Sequence, residues 1–460
     1  MFDMLIKGGT VVSSRAQKRL NILVSGGKIA GLRDPADKLP EAETTVDASG
    51  CFIFPGIIDG HTHFHLKLST GYTSDDFTSG SKAALCGGIT TFLDYTTQPA
   101  GESIAGALYK RLEDAEGKSY ADFGFHGQVM GWNRIKDNRE DMRRAFEEGM
   151  TSFKMFTAYS ARGMQSGDDE FYQALETARD IGALVCVHAE NGEITDLLTE
   201  RYAPGGGPAA LIKARPDFTE AESVSRIIRI ASAAGAPVYF VHLSTAAAAE
   251  EVAEARAKGL RVIGETCPQY LVLTNELLKK TDGELYTCCP PLRAEGNGIG
   301  LWRRVAEGDI KTFGSDNCTC DRKMKEAGNK DIRNIPMGFA GSQTLMPAVY
   351  TYGVKEGLIS PNRLVEMFCE NPARIMGIPG KGFIQTGYDA DFAVVDPEKE
   401  VKVDCGELEH NTDYSVWQGH EMYGFPKYTI LRGKIMVKNW KFAAEKPEGL
   451  FIKRKKPEIL

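Results

Sequence analysis

Pro237-Val238-Tyr239-Phe240-Val241-His242-Leu243 is a short apolar run, and Arg261-Val262-Ile263-Gly264-Glu265-Thr266 is another; between them Ala247 to Lys258 reads as a charge-rich helical spacer. A buried strand, a helix and a second buried strand make one unit of a parallel sheet covered by helices. The same rhythm continues in both directions. Counted outward, the candidate strands are Gly56 to His63, Thr90 to Tyr95, Phe123 to Val129, Ser152 to Tyr159, Ala183 to His188, Pro237 to Leu243, Arg261 to Thr266 and Lys311 to Asn317. Strands in that number, separated by helical segments, predict an α/β fold: a (β/α)8 TIM-like barrel over residues 55–375. The Gly/Pro-rich loop at 202–208 does not divide it, because the rhythm resumes afterwards.

The chain ends have a different texture. Thr10-Val11-Val12, Ile22-Leu23-Val24 and Cys51-Phe52-Ile53-Phe54 are short β-type runs between turn signals, and Asp389 to Asp396 and Tyr428 to Val437 repeat the pattern. Residues 1–54 and 376–460 are therefore expected to build one small β-sandwich domain with a C-terminal extension. The apolar stretch from Tyr423 to Phe451 would pack on a neighbouring subunit or on its own sandwich.

A chain of 460 residues exceeds what one compact core usually holds, and 42% hydrophobic with 25% charged residues excludes extensive disorder. Net charge is −7. The one long basic run, Lys453-Arg454-Lys455-Lys456, reads as a solvated tail, so nucleic acid is not an expected partner. No apolar stretch approaches the roughly 18 residues that span a membrane, and the N-terminus lacks a leader pattern, so a cytoplasmic protein without membrane contact is expected. Ten cysteines at irregular spacing suit reduced thiols better than a disulfide framework. Cys318-Thr319-Cys320 has no partner pair to complete a zinc knuckle.

The polar residues at the strand ends carry the chemistry. Barrel enzymes build their sites at the C-terminal ends of the strands. There the chain places His61 and His63, His188, His242 and Asp316. His61 and His63 are two apart, so their rings share one side of a strand. Alone, each histidine reads as a hydrogen-bonded core residue; together, imidazoles and a carboxylate are the ligand set of Zn²⁺ and similar ions. Lys154 lies inside the fourth candidate strand between apolar neighbours, where a bare ammonium is poorly solvated. It is either paired with a buried carboxylate or modified to serve as a ligand.

Asp59-Gly60-His61-Thr62-His63, Ser152-Phe153-Lys154-Met155-Phe156-Thr157-Ala158-Tyr159, Val187-His188-Ala189-Glu190-Asn191-Gly192, Glu265-Thr266-Cys267-Pro268-Gln269-Tyr270-Leu271, Pro290-Pro291-Leu292-Arg293, Gly314-Ser315-Asp316 and Asp413-Tyr414-Ser415-Val416-Trp417-Gln418-Gly419 follow in order along the chain. These runs resemble the signatures of the dihydropyrimidinase/hydantoinase family, over roughly residues 4–455. The resemblance implies a barrel with a composite β-sandwich, two Zn²⁺ ions bridged by a carboxylated lysine and a hydroxide, and a homotetramer in many members. It implies that His61, His63 and Asp316 hold one ion, His188 and His242 the other, and Lys154 bridges both. Asp316 would carry a proton to the leaving nitrogen, and the Tyr159 hydroxyl would donate to the developing oxyanion. The substrate would be a cyclic ureide or amide, a hydantoin or dihydropyrimidine opened to an N-carbamoyl amino acid.

Three positions depart from the family pattern. Cys289 stands where Ser usually precedes Pro-Pro, Met337-Gly338 where Asn-Gly is usual, and Asn317 where His or Gln commonly follows the metal Asp. In relatives the positions of Cys289 and Met337 hold the ring largely through backbone groups, so binding of the core ring is expected to survive. Neighbouring activities, an allantoinase, a dihydroorotase or a cyclic imide hydrolase, use similar machinery. Dihydroorotases usually show HxHxR, and here His65 takes the place of the Arg. A non-catalytic scaffold of the same fold would have lost ligands that this chain keeps. His65, Lys67 and Arg162 follow the first and fourth strands, where they either rim the pocket or extend into solvent.

Overall fold

A computed structural model describes residues 1–68 and 70–460. The barrel strands are Ile57–Thr62, Ile89–Tyr95, Asp122–Gln128, Ser152–Phe156, Leu184–His188, Val238–Leu243, Val262–Thr266 and Ile310–Phe313. They lie side by side in chain order, each parallel to the next. The first and last strands close the ring just beyond the regular ladder: Asp316 N donates to His61 O at 3.0 Å and His63 N to Asn317 O at 2.8 Å. The last strand is shorter than the sequence suggests. Gly314 and Asp316 leave the extended conformation there, and Asp316 turns to φ 52°.

Helices cover the outside of the ring. In the unit that opened the sequence reading, Ala246–Ala257 is the crossover helix, and Thr245 caps it by accepting from Ala248 N at 3.2 Å. After the fifth strand, Asn191 caps the helix Gly192–Tyr202 in the same way, accepting from Ile194 N at 3.1 Å. Strand ends and helix starts are thus joined by very short turns. Side chains on those turns are held close to the barrel mouth.

The chain ends pair with each other. One sheet runs, in spatial order, Lys28–Arg33, Asn21–Ser25, Phe2–Lys7, Ala42–Asp47. In the other, Phe392–Val395 lies between Phe52–Pro55 and Pro426–Leu431, antiparallel to both. A separate apolar core joins Met4, Ile6, Ile22 and Ile53 to Phe392, Val394 and Ile430. Contacts this remote in sequence were legible only as matching texture.

The C-terminal segment corrects one expectation. The basic run at 453–456 is solvated only in part: Lys453, Lys455 and Lys456 are exposed, but Arg454 is buried and donates to Ser152 Oγ at 2.8 Å and to Phe125 O. The segment reaches it by running along the third strand, with Gly449 N bonded to Ser119 O at 2.8 Å and Ile452 N to Phe123 O at 2.7 Å. Phe451 packs on Phe123 and Phe125 at ring-centroid distances of 6.0 and 6.1 Å. Of the apolar stretch from Tyr423 to Phe451, Pro426–Leu431 and Lys434–Lys438 are strands of the sheet that holds Phe392–Val395, and Phe451 lies on the barrel. Among the described residues, no helix is long and apolar enough to cross a membrane.

Candidate metal and substrate site

His61, His63, His188, His242, Asp316 and Lys154 converge at the C-terminal end of the barrel. Asp316 Oδ1 lies 3.2 Å from Nε2 of both His61 and His63. His188 Nδ1 lies 3.0 Å from His242 Nε2. The two pairs adjoin, with the His61 and His242 rings 5.3 Å apart. His242, Asp316 and Tyr159 all have positive φ, at 40°, 52° and 72°. Such backbone is costly for side chains other than Gly and Asn. Asp316 and Tyr159 lie just past the ends of their strands, and His242 lies inside the sixth, whose ladder shifts register between Phe240 and Leu243.

Two buried carboxylates fix the imidazoles. Glu265 Oε1 lies 2.8 Å from His61 Nδ1 and accepts from His242 N at 3.1 Å, while Oε2 accepts from Tyr239 OH at 2.7 Å. Glu190 Oε2 lies 2.8 Å from His188 Nε2 and also takes Arg215. Burial pushes Glu265 up to about 7, whereas at Glu190 the effect of burial is overcome by Arg215 and the carboxyl falls to about 2. Glu190 is ionised and only accepts, which places the proton on His188 Nε2; Glu265 already accepts on both oxygens, from His242 N and from Tyr239 OH, which leaves His61 Nδ1 as the donor. The lone pairs then sit on His61 Nε2, facing Asp316, and on His188 Nδ1, facing His242.

Acceptor against carboxylate, buried and 3.2 Å apart, is unfavourable without a cation between them. His61 Nε2, His63 Nδ1 and His242 Nδ1 also have no hydrogen-bond partner although buried. The donor set therefore fits a metal centre, with outer groups orienting the ligands as second partners of ligating histidines do. Gly314 makes the arrangement possible. A Cβ there would come 2.8 Å from both His61 Cβ and Glu265 Cδ, so only Gly lets these two side chains meet.

Lys154 is buried beside this cluster, 5.1 Å from the Tyr95 ring centroid and 5.5 Å from that of Phe156. Among the described residues it forms no ion pair, so the reading of a lysine paired with a carboxylate has no partner to support it. Burial pushes its ammonium down to about 8.

A cavity of about 490 Å³ opens onto the cluster. Tyr159, Cys289 and Met337 line it, with Leu66, Met130 and Phe156 as apolar wall and Lys67 and Arg162 toward the outside. Tyr159 stands with its ring 4.8 Å from that of His188, and the Arg215 guanidinium lies over it at 5.2 Å. His65 is instead stacked on Tyr72, at 4.4 Å. Asn317 is used by the backbone: its Oδ1 accepts from Gly341 N at 2.7 Å and from Ser342 N at 3.2 Å. All ten cysteines are free.

Glu190, Glu265 and Arg215 were not singled out by the sequence reading. Glu190 and Glu265 had a usable signal, since each is an acid at a strand end beside a site histidine or inside a quoted motif. Arg215 had none, because it reaches the site from the segment between two helices.

An eight-stranded barrel with imidazoles, a carboxylate and an unpaired lysine at its mouth is the architecture of an amidohydrolase, and the amidohydrolase family profile matches residues 52–436. Relatives narrow that class. The chain is 38% identical to the D-hydantoinase of Ralstonia pickettii, with 99% of each chain covered, and 38% identical to the D-hydantoinase of Geobacillus stearothermophilus, covering 98% of this chain and 96% of that one. The crystal structure of dihydropyrimidinase from Brevibacillus agri matches with a TM-score of 0.96 and 35% identity, over 100% of both chains. The chain belongs to the dihydropyrimidinase/hydantoinase family of amidohydrolases.

Proposed function

We propose that this enzyme hydrolyses a cyclic ureide or amide, a hydantoin or 5,6-dihydropyrimidine, to the N-carbamoyl amino acid, using two zinc ions. The observation that carries the reading is the His61 Nε2 lone pair turned on Asp316, with buried, unpartnered nitrogens of His63 and His242 close by, beside a ring-sized cavity. His61, His63 and Asp316 would hold one ion, His188 and His242 the other, and Lys154, as its carbamate, both. When bound, such ions polarise a carbonyl and lower the pKa of water.

The chain's own groups supply the rest. Burial favours the neutral amine of Lys154, the form that adds carbon dioxide. Asp316, in contact with two imidazoles, accepts a proton and delivers it to the ring nitrogen as the C–N bond breaks. The Tyr159 hydroxyl is raised well above its usual value, chiefly by burial, so it stays protonated and donates to the oxygen on which charge develops. Backbone groups at Cys289 and Met337 would hold the ring, and Leu66, Met130 and Phe156 keep water from it.

Purified enzyme should be assayed on hydantoin, dihydrouracil, allantoin, dihydroorotate and succinimide side by side, with metal analysis. Opening of hydantoin or dihydrouracil supports the reading. Turnover confined to allantoin, dihydroorotate or the imide would replace it, and a metal-free chain active on any ring would overturn its mechanism. The tetramer that the family resemblance implies is tested by sedimentation of the 50.4 kDa chain.

A further inference from the structure

We propose that the natural ring carries a carboxylate on its exocyclic substituent, bound at the cavity mouth by Arg162 and Lys67. This rests on the ring-opening reading and names the substrate within it.

The charged side chains lining the cavity divide into engaged and free ones. Lys154 and Asp316 belong to the donor cluster. Arg333 is already engaged: its Nε and Nη2 donate to Asp331 at 3.0 and 2.6 Å, and Glu200 lies 3.8 Å away. Lys67 and Arg162 remain, and among the described residues neither forms an ion pair. The unneutralised charges at the mouth are therefore both positive, on a chain whose net charge is −7.

A second cavity, of about 400 Å³, adjoins the first and shares Arg162. Its other cations are also engaged. Arg215 pairs with Glu190 and Glu200 lies beside Arg333; Asp196 accepts the Ser160 hydroxyl and keeps its charge, and among the described residues it forms no ion pair with Arg162. Arg162 thus stands on the wall between the two spaces, with no acid of its own to hold.

Both cations are presented by ordered backbone. Arg162 closes the single turn Ser160–Arg162, which directly follows Tyr159, and Gly163 N bonds Ser160 O at 2.8 Å. Its guanidinium lies 5.6 Å from the Tyr159 ring centroid. Lys67 sits in a small hairpin, opposite Tyr72, with Thr73 N bonded to Leu66 O at 2.8 Å. Leu68 and Met164 line the same cavity as these two groups, so a substituent on the ring would find apolar wall and cationic ends in one space. That space suits a short carboxyalkyl chain, whose methylenes need apolar wall and whose end needs a cation. Alkyl or aryl substituents would leave both charges without use.

The test compares kcat/KM for 5-(2-carboxyethyl)hydantoin and its neutral isostere 5-(2-carbamoylethyl)hydantoin, with unsubstituted hydantoin as control, in wild type, Arg162→Ala, Arg162→Glu and Lys67→Ala. Hydrogen bonds to charged groups lead to an expected preference of about tenfold for the acid in wild type. It should weaken as salt rises. The ratio should fall toward one in Arg162→Ala or Lys67→Ala and invert in Arg162→Glu, with the change in KM, because the carboxylate is bound equally in ground and transition states. A wild-type ratio near one, with hydantoin opened normally, overturns this inference and spares the ring-opening reading; so does a ratio that no variant moves. If no ring is opened at all, the reading beneath it fails and the inference falls with it.

Discussion

At Asp122, Asp389 and Asp391 three carboxylates surround the ammonium of Lys381, at 2.8, 3.1 and 2.5 Å, and Arg432 adds a second cation on Asp122. At His61, His63 and Asp316 the donors are as close together, yet the chain brings no cation of its own into hydrogen-bonding distance. Both groups have the spacing to hold an ion. They differ in what the fold has done with them. The first joins the start of the third barrel strand to the sheets formed by the chain ends, and its buried charges are paired internally. Burial alone would depress Lys381, but Asp391, Asp122 and Asp389 outweigh it and keep it charged. The second turns the lone pair of His61, fixed from behind by Glu265, on Asp316, and beside it Glu190 fixes His188. A cluster that closes on its own cation is a structural joint; one whose lone pairs converge is a site.

The largest effect that could break this contrast is at Lys154. Lys154→Ala should lose both metal and turnover, with partial rescue by short-chain carboxylic acids that replace the missing oxygens. A variant that kept its metal and normal rates would show that the lysine is not a ligand. The opposite cluster is tested by Lys381→Met, which leaves buried Asp391 without a cation among the described residues, and Asp122 and Asp389 with only Arg432 and Lys28. Urea unfolding should show a loss of about 3–5 kcal/mol, while metal content at the barrel mouth stays as in wild type. If calcium or magnesium restored that stability, the joint would have become an ion site, and the contrast would rest on Lys381 alone.

Tyr159→Phe separates chemistry from metal binding: kcat should fall about 10²- to 10³-fold with metal content intact. An unchanged kcat would make Tyr159 a packing residue. Glu265→Gln should weaken metal affinity about 10- to 100-fold, read by competition with a chelator, because a neutral amide with one acceptor oxygen holds His61 Nδ1–H less firmly than the carboxylate does. Equal affinity would mean that packing alone orients the ring. The smallest effect concerns pH. With Lys154 depressed to about 8 by burial, its neutral fraction rises with pH up to that value and levels off above it. At constant dissolved carbon dioxide, activation of metal-free enzyme by zinc should therefore accelerate about tenfold per pH unit below 8 and flatten beyond it. A rate independent of pH would exclude addition at this amine.

The barrel and most of its site were legible because both depend on local pattern. Apolar runs followed by His61, His188, His242 or Asp316 mark strands whose polar residues lie at their C-terminal ends, and the quoted motifs placed Lys154 and Tyr159 with them. Cys289 and Met337 came from the family pattern, and the structure puts both on the cavity wall. The fate of Arg454 was not legible, since a basic run near a chain end has the same composition whether it is solvated or inserted beneath a barrel. Arg215 was equally silent. It does its work through Glu190, 25 residues away, and no periodicity connects them.

The sequence by itself determined the order of strands and helices, the family, and which imidazoles and carboxylates stand at strand ends, because these follow from hydrophobic period and short motifs. Only the tertiary structure decided which of two cation-sized clusters is closed and which is open. It also decided which nitrogen of His61 and of His188 carries the proton, and that among the described residues Lys67 and Arg162 line the cavity unpaired. The physical reason is that neutralisation and tautomer are set by neighbours tens to hundreds of residues away, brought within about 3 Å by the fold.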